Sequence, residues 1–397
     1  MKKILFGLMT LFGSSYLMAQ QGVNIDEVSL YEHVTNVVKK TDNFHLYLNM
    51  HGSLNGNWVG HEGFRQAAFK MDQLRIEARG NVNDWIYYRW RQRLNRSNNG
   101  SGALDNLPTS IDYAAVGFKI TPKFSIFAGK QCAAYGGFEF DLNPIEIYEY
   151  SDMVEYMQNF LTGVNFIYNI NKDQELCFQI LDSRNYSFKD TYGNLPSYVN
   201  DSKCPLVYTL NWNGSFADGM YKTRWSASLM QESRSQNMAY FAMGNELNVG
   251  PVNTFLDIMY SREGIDRKQI ITDIIGDNAK YRMMGTEYLS FVYKLNYRID
   301  PKWNVFVKGM YEIEGLYKKN SSVLIDDQES TIGKGRYRTA WGYLAGIEYY
   351  PMDTNLHFFL TFIGRTYNYS SKAKQFGWDS YSTQKLSVGF IYQLPMF

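Results

Sequence analysis

Arg75, Glu77 and Arg79 stand at every second position of one stretch, and Arg89, Arg91 and Arg93 do the same in the next. Alternate side chains of an extended chain share a face, so five guanidiniums and one carboxylate gather on one side of a hairpin. The other side carries Leu74, Ile76 and Ala78, then Ile86, Tyr88, Trp90 and Leu94. Guanidiniums this close repel one another, and anions or facing carboxylates are needed to offset them. A wet basic face backed by a greasy one suits the guiding of small anions. The competing reading is a set of charge pairs that stiffens a wall.

A second constellation lies in the connector 133–159, which holds Glu139, Asp141, Glu146, Glu149, Asp152 and Glu155 and no Lys or Arg. These are expected to supply the facing carboxylates. An acidic loop opposite a basic wall sets up a transverse field that orders water and favours small polar or zwitterionic solutes. A solvated surface loop is the alternative. Lys119, Lys130, Lys222, Arg224, Lys294, Arg298, Lys308 and Arg365 are further inward candidates by alternation, with Asn165 and Asn169 as neutral lining.

The elements that position these residues are strands of about ten residues with period-two alternation. In 286–299, Leu289, Phe291, Tyr293, Leu295 and Tyr297 alternate with Ser290, Val292, Lys294, Asn296 and Arg298. One face meets lipid and the other water, the pattern of a membrane barrel. Trp341, Tyr343, Ala345, Ile347 and Tyr349 read as outward in the same way, as do Leu206, Tyr208, Leu210 and Trp212. Strands are expected at 44–51, 68–80, 85–97, 111–121, 123–132, 160–170, 174–184, 204–213, 220–231, 238–249, 252–262, 286–299, 302–314, 338–350, 354–367 and 383–394, sixteen in all.

Every second connector is short, as in 81–84, 121–122, 171–173, 250–251, 300–301 and 351–353, and the partners are mostly long. Short periplasmic turns alternating with longer outer loops are the habit of outer-membrane barrels. The expected fold is therefore all-β, a 16-stranded antiparallel transmembrane β-barrel with an inward-folded third loop, occupying 44–397. A barrel of that size encloses a water-filled channel rather than a packed core.

Composition agrees. The 397 residues include 32 Tyr, 25 Phe and 8 Trp against 9 Pro, with a net charge of +1 and a negative mean hydropathy. At the start, Lys2 and Lys3, the apolar run Ile4 to Phe12 and Ala19 read as a secretory signal over 1–19. Residues 20–43 form an N-terminal periplasmic segment with a short helix expected at 26–40. Leu386, Val388, Phe390, Tyr392, Leu394 and Met396 alternate outward near the end, while Pro395 interrupts the strand and Phe397 falls one residue out of phase. Cys132, Cys177 and Cys204 are odd in number and form no CxxC, so at least one thiol stays free; Cys132 and Cys204 lie near strand ends, where a pair is open.

Two stretches resemble the phosphate-selective porin O and P family: Phe69 to Asn95, FKMDQLRIEARGNVNDWIYYRWRQRLN, and Pro122 to Glu139, PKFSIFAGKQCAAYGGFE. The resemblance implies a homotrimer and passive uptake of small anions along an arginine ladder, here Arg75, Arg79, Arg89, Arg91 and Arg93. The acidic run 139–155 departs from an anion-selective mouth and points to a broader porin for small hydrophilic solutes.

The expected protein is thus a passive diffusion channel of the cell outer membrane, partnered by its lipid bilayer, with no nucleic-acid partner, cofactor or metal. A surface adhesin or receptor barrel would use the long outer loops and is the alternative. An outer-membrane hydrolase would need Ser and His facing lipid at the rim. Of His33, His45, His51, His61 and His357, the last shares its face with Asn355 and Thr361 and points to water, and there is no HExxH, GxSxG or P-loop motif.

Overall fold

The structure is a computed structural model that describes residues 28–36, 43–99, 103–325, 328–352 and 354–397. The expected signal 1–19 lies outside the described residues. Eighteen strands follow in chain order: β1 His45–Val59, β2 Gly63–Asn81, β3 Ile86–Arg93, β4 Ile111–Lys119, β5 Phe124–Cys132, β6 Phe160–Asn171, β7 Gln174–Asp182, β8 Leu206–Phe216, β9 Tyr221–Gln231, β10 Asn237–Val249, β11 Val252–Ile265, β12 Met284–Asp300, β13 Trp303–Leu316, β14 Asn320–Ile325, β15 Gln328–Ile332, β16 Gly335–Tyr349, β17 His357–Tyr369 and β18 Tyr381–Pro395. Sixteen of them close a barrel in which sequence neighbours pair antiparallel and β1 meets β18; β14 and β15 form a separate hairpin between β13 and β16.

Closure satisfies every strand edge, the condition for backbone to survive in lipid. The alternation then sorts the side chains. Leu256, Tyr293, Trp341, Tyr343, Phe358, Leu360, Phe362, Leu386 and Val388 lie exposed on the outer surface. Their neighbours Asp257, Val292, Ala340, Phe359, Thr361 and Ser387 are buried on the inner one. Tight turns hold one end of the barrel: Asn83 accepts from the backbone N–H groups of Trp85 (3.0 Å) and Ile86 (2.8 Å), and Asp300 from those of Lys302 (2.7 Å) and Trp303 (3.0 Å).

The first two strands are longer than the expected 44–51 and 68–80. Here β1 and β2 run on until only Gly60–Glu62 joins them. Their outer-facing positions include glycines, which carry no apolar signal to read. A Cβ on Gly52 would stand 2.8 Å from the Phe390 ring of β18, so the glycine is needed where that ring covers the wall. The connection 232–236 between β9 and β10 is also short.

Near the chain ends, a helix spans Leu30–Thr35, shorter than the expected 26–40, much of which lies outside the described residues. Ser29 and Glu32 cap its start reciprocally, and Asn36 in the left-handed region ends it. Tyr31 N–H donates to the Met396 carbonyl (3.1 Å), and Phe397 packs its ring on Tyr31 (4.8 Å) and Phe44 (5.4 Å). Phe397 is out of phase with the lipid face because it is held by these rings and by the backbone of Leu46. All three cysteines are free thiols, so Cys132 and Cys204 do not pair.

Candidate functional site

The arginine face is built by β2, β3 and β4. Register sets Arg75 opposite Arg93, Glu77 opposite Arg91 and Arg79 opposite Arg89. Like charges directly opposite destabilise a ladder, and two carboxylates answer this locally. Glu77 takes Arg89 at 2.9 Å. Asp112 on β4 takes Arg75 at 3.1 Å, Arg91 at 3.1 Å and Arg93 at 2.8 Å. Aromatic rings cover the same cations: Tyr113 lies 3.9 Å from the Arg89 guanidinium and 4.9 Å from that of Arg91, Phe160 lies 5.5 Å from those of Arg91 and Arg93, and Tyr47 lies 4.8 Å from Arg79.

Asp112 was not among the expected site residues. It stands where the register between β3 and β4 shifts at Arg91/Gln92. A bulge of this kind breaks the two-residue period and aims one extra side chain. The one readable signal was a lone acid at the start of a strand beside three arginines.

The ladder therefore has two parts. Arg75, Arg79, Arg89 and Arg91 are all buried, Arg91 at 1 % exposure, but only the first of these four reaches the open lumen. Arg75 and the half-buried Arg93 border a cavity of about 600 Å³, together with Arg96, Lys385, His51 and Asp72. Glu149, Asp152 and Glu155 of the connector border it too.

That connector, between β5 and β6, reaches the inner faces of strands from β9 round to β18. Asp257 of β11 accepts from the backbone N–H groups of Phe138 (2.8 Å) and Glu139 (2.7 Å). Glu139, fully buried, pairs with Lys308 of β13 at 2.5 Å. Asp141 pairs with Arg224 of β9 at 2.5 Å, and Glu149 with Lys385 of β18 at 3.0 Å. Tyr148 donates to Glu348 of β16 at 2.8 Å.

Asp152 binds Arg338 of β16 (2.5 Å) and Arg365 of β17. Those two guanidiniums also hold Glu314 and Glu312 of β13. The three carboxylates Asp152, Glu312 and Glu314 lie close enough to grip a metal ion, but the guanidiniums stand where such an ion would bind. Glu139, Asp141, Glu149 and Asp152 pair with cations of β9, β13, β16, β17 and β18, while Glu149, Asp152 and Glu155 border the same cavity as Arg75 and Arg93. The ladder finds its counter-charges on its own strands.

Glu146 and Glu155 are different. Neither forms an ion pair among the described residues. Burial raises the Glu146 carboxyl above its ordinary range. Partial desolvation and the Glu149 carboxylate do the same to Glu155, which is exposed at the cavity. Of the other inward candidates, Lys222 pairs with Glu246 (3.1 Å), Lys130 with Asp105 (2.9 Å), and Arg298 lies over the Tyr350 ring (4.0 Å). Arg96 and Lys385, which line the cavity, were not singled out from the sequence.

The family model for phosphate-selective porins O and P matches residues 44–394. Among solved structures, the outer-membrane channel DcaP of Acinetobacter baumannii is similar at a TM-score of 0.58 and 10% identity, over 90% of this chain and 99% of that one. Salmonella typhi OmpF, in complex with daunomycin, matches at 0.55 and 14% over 90% and 99%. An anion-selective porin from Comamonas acidovorans matches at 0.52 and 8% over 88% and 99%. No curated protein sequence matches.

Proposed function

Because the chain belongs to the phosphate-selective porin O and P family, and so is a channel of the outer membrane, we propose that it passes small anions and other small hydrophilic solutes with modest anion preference. The observation that carries this reading is one shared cavity: Arg75, Arg93, Arg96 and Lys385 border it alongside Glu149 and Glu155. Cations on several sides concentrate anions, and the loop acids limit how far that preference goes. The connector 133–159 acts as the constriction. The buried Arg79, Arg89 and Arg91 shape the wall and contribute field without touching solute. The channel works as a homotrimer; one structural neighbour, OmpT of Vibrio cholerae, is recorded in a trimer form at a TM-score of 0.50.

The test is reversal potential across a planar bilayer in a salt gradient. Changing Arg75, Arg93 and Arg96 to Gln is expected to lower the anion-to-cation permeability ratio in dilute salt. The loss should shrink as salt rises, because the Debye length falls from about 30 Å at 0.01 M to about 3 Å at 1 M. Wild-type selectivity in the triple variant at low salt would end the anion-guiding reading.

Acidification supplies a second check. The raised carboxyl of Glu155 takes up its proton at a higher pH than an ordinary glutamate, removing negative charge from the mouth. Anion preference should rise as pH falls, and Glu155→Gln should flatten that response. A pH response that persists in full in this variant assigns it to other groups.

A further inference from the structure

Away from the mouth, the inner wall of β6, β7 and β8 mixes buried apolar side chains (Leu161, Ile167, Leu181, Val207) with neutral amides and hydroxyls (Asn165, Gln179, Thr209, Asn211), and carries one buried carboxylate, Glu175. Glu175 of β7 lies directly opposite Asn169 of β6 on one side and Asn213 of β8 on the other. It is 2 % exposed. Its Oε1 accepts from Asn213 Nδ2 at 2.8 Å and from the Cys177 thiol at 3.5 Å. Its Oε2 has no partner, and neither do Asn165 Oδ1 and Asn213 Oδ1. Glu175, Asn165 and Asn213 all line one small cavity of about 70 Å³ beneath the start of the connector.

The charge balance around this cavity is one-sided. Asp141 and Arg224 also line it, but they pair with each other at 2.5 Å. No Lys or Arg forms an ion pair with Glu175 among the described residues, because the guanidinium that lines its cavity is held by Asp141. An isolated buried carboxylate is costly. Water in the cavity would donate to the oxygens and leave the charge. A proton on Glu175 with water on the amide oxygens is the competing occupancy, which a metal titration separates from a bound cation. A hard cation keeps the carboxylate ionised and satisfies both kinds of oxygen in one step, since such ions take carboxylate, amide-carbonyl and water oxygens together.

We propose that this cavity between β6, β7, β8 and the connector binds a hard metal cation of the calcium class, through Glu175 Oε2 and the amide oxygen of its cross-strand neighbour Asn213, with water completing the shell. The ion joins the wall to the connector's first residues, because Asp141 and Arg224 close the same space. It is separate from the ion-paired acids at Arg338 and Arg365 and from the mouth.

Tyr113 also lines the cavity and can sensitise a bound lanthanide, so Tb³⁺ luminescence under tyrosine excitation is the direct probe. In the purified full-length barrel in detergent, Tb³⁺ emission is expected to saturate and to be reversed by Ca²⁺. Glu175→Gln should abolish the Ca²⁺-reversible component. Asn213→Asp adds a ligand charge and should tighten Ca²⁺ competition about tenfold, since charge count sets affinity in oxygen sites. Emission that is the same in wild type and Glu175→Gln, with Asn213→Asp no tighter, means that the cavity holds water or a proton only and the proposal is wrong. Should Glu175→Gln not fold, the Asn213→Asp comparison decides alone.

Discussion

Asp112→Asn is expected to be among the most damaging single substitutions in the barrel wall. One carboxylate, wholly buried, neutralises Arg75, Arg91 and Arg93 together. Its amide isostere keeps the shape and removes the charge. Stripping the partner from a buried ion pair costs about 3–5 kcal/mol, and here three cations lose it at once. They sit on adjacent strands, so their mutual repulsion is also released. Glu77→Gln is expected to cost less, because Glu77 forms its ion pair with Arg89 alone. The readout is the temperature at which the folded barrel converts to the slower or faster unfolded band on gels after graded heating. Asp112→Asn should convert tens of degrees earlier or fail to fold, and adding Arg91→Gln should recover part of the loss. A variant as heat-resistant as wild type would mean that the arginines are hydrated and carry no burden.

Removing Arg338 and Arg365 together is expected to enlarge the current path. The two guanidiniums are shared among Asp152, Glu312 and Glu314, and without them three buried carboxylates face one another. The cheapest escape is for Asp152 to leave with its segment, since Glu312 and Glu314 are fixed on a strand. Each broken buried pair costs about 3–5 kcal/mol, which is larger than the single contacts of Tyr148 with Glu348 and Glu149 with Lys385 that remain nearby. The barrel itself, held by its ladders, should stay closed. Single-channel recording of Arg338→Gln/Arg365→Gln should therefore show higher and noisier conductance, and the heat transition should fall because Glu312 and Glu314 stay on the wall without partners. Adding Asp152→Asn should quieten the current by removing the repulsion. Unchanged conductance would show that the anchors at Asp257 and Lys308 suffice to hold the connector.

The strands were legible because each repeats one physical demand, an apolar side chain outward every second residue. The register 286–299 reads the same in sequence and structure, down to Tyr293 outside and Ser290 within. The reading failed where that demand is silent. In β1 the outward Gly52 and Gly56 are covered by neighbouring rings, Phe390 and Trp58, so a strand looked like a loop. The faces of the arginines were also legible, since a guanidinium is excluded from lipid. Their partners were not. Asp112 is placed by a bulge, and the connector acids by a path across the barrel that brings Glu139 to Lys308, 169 positions away in sequence. Pairings between segments that far apart leave no local pattern, and nothing local predicts Lys385 against Glu149.

The seam where the chain ends meet has a topological consequence. Thirteen residue pairs, from Tyr47 opposite Pro395 to Val59 opposite Thr383, join β1 to β18, and the backbone of Leu46 bonds to both Met396 and Phe397. Residue 397 thus lies beside residue 46, within reach of a short peptide linker. A circularly permuted chain, with 397 joined to 43 through such a linker and new termini opened in the β14–β15 hairpin outside the barrel sheet, retains all sixteen barrel pairings. Only the direction of synthesis, and not the geometry of the finished ring, makes β1 its first strand.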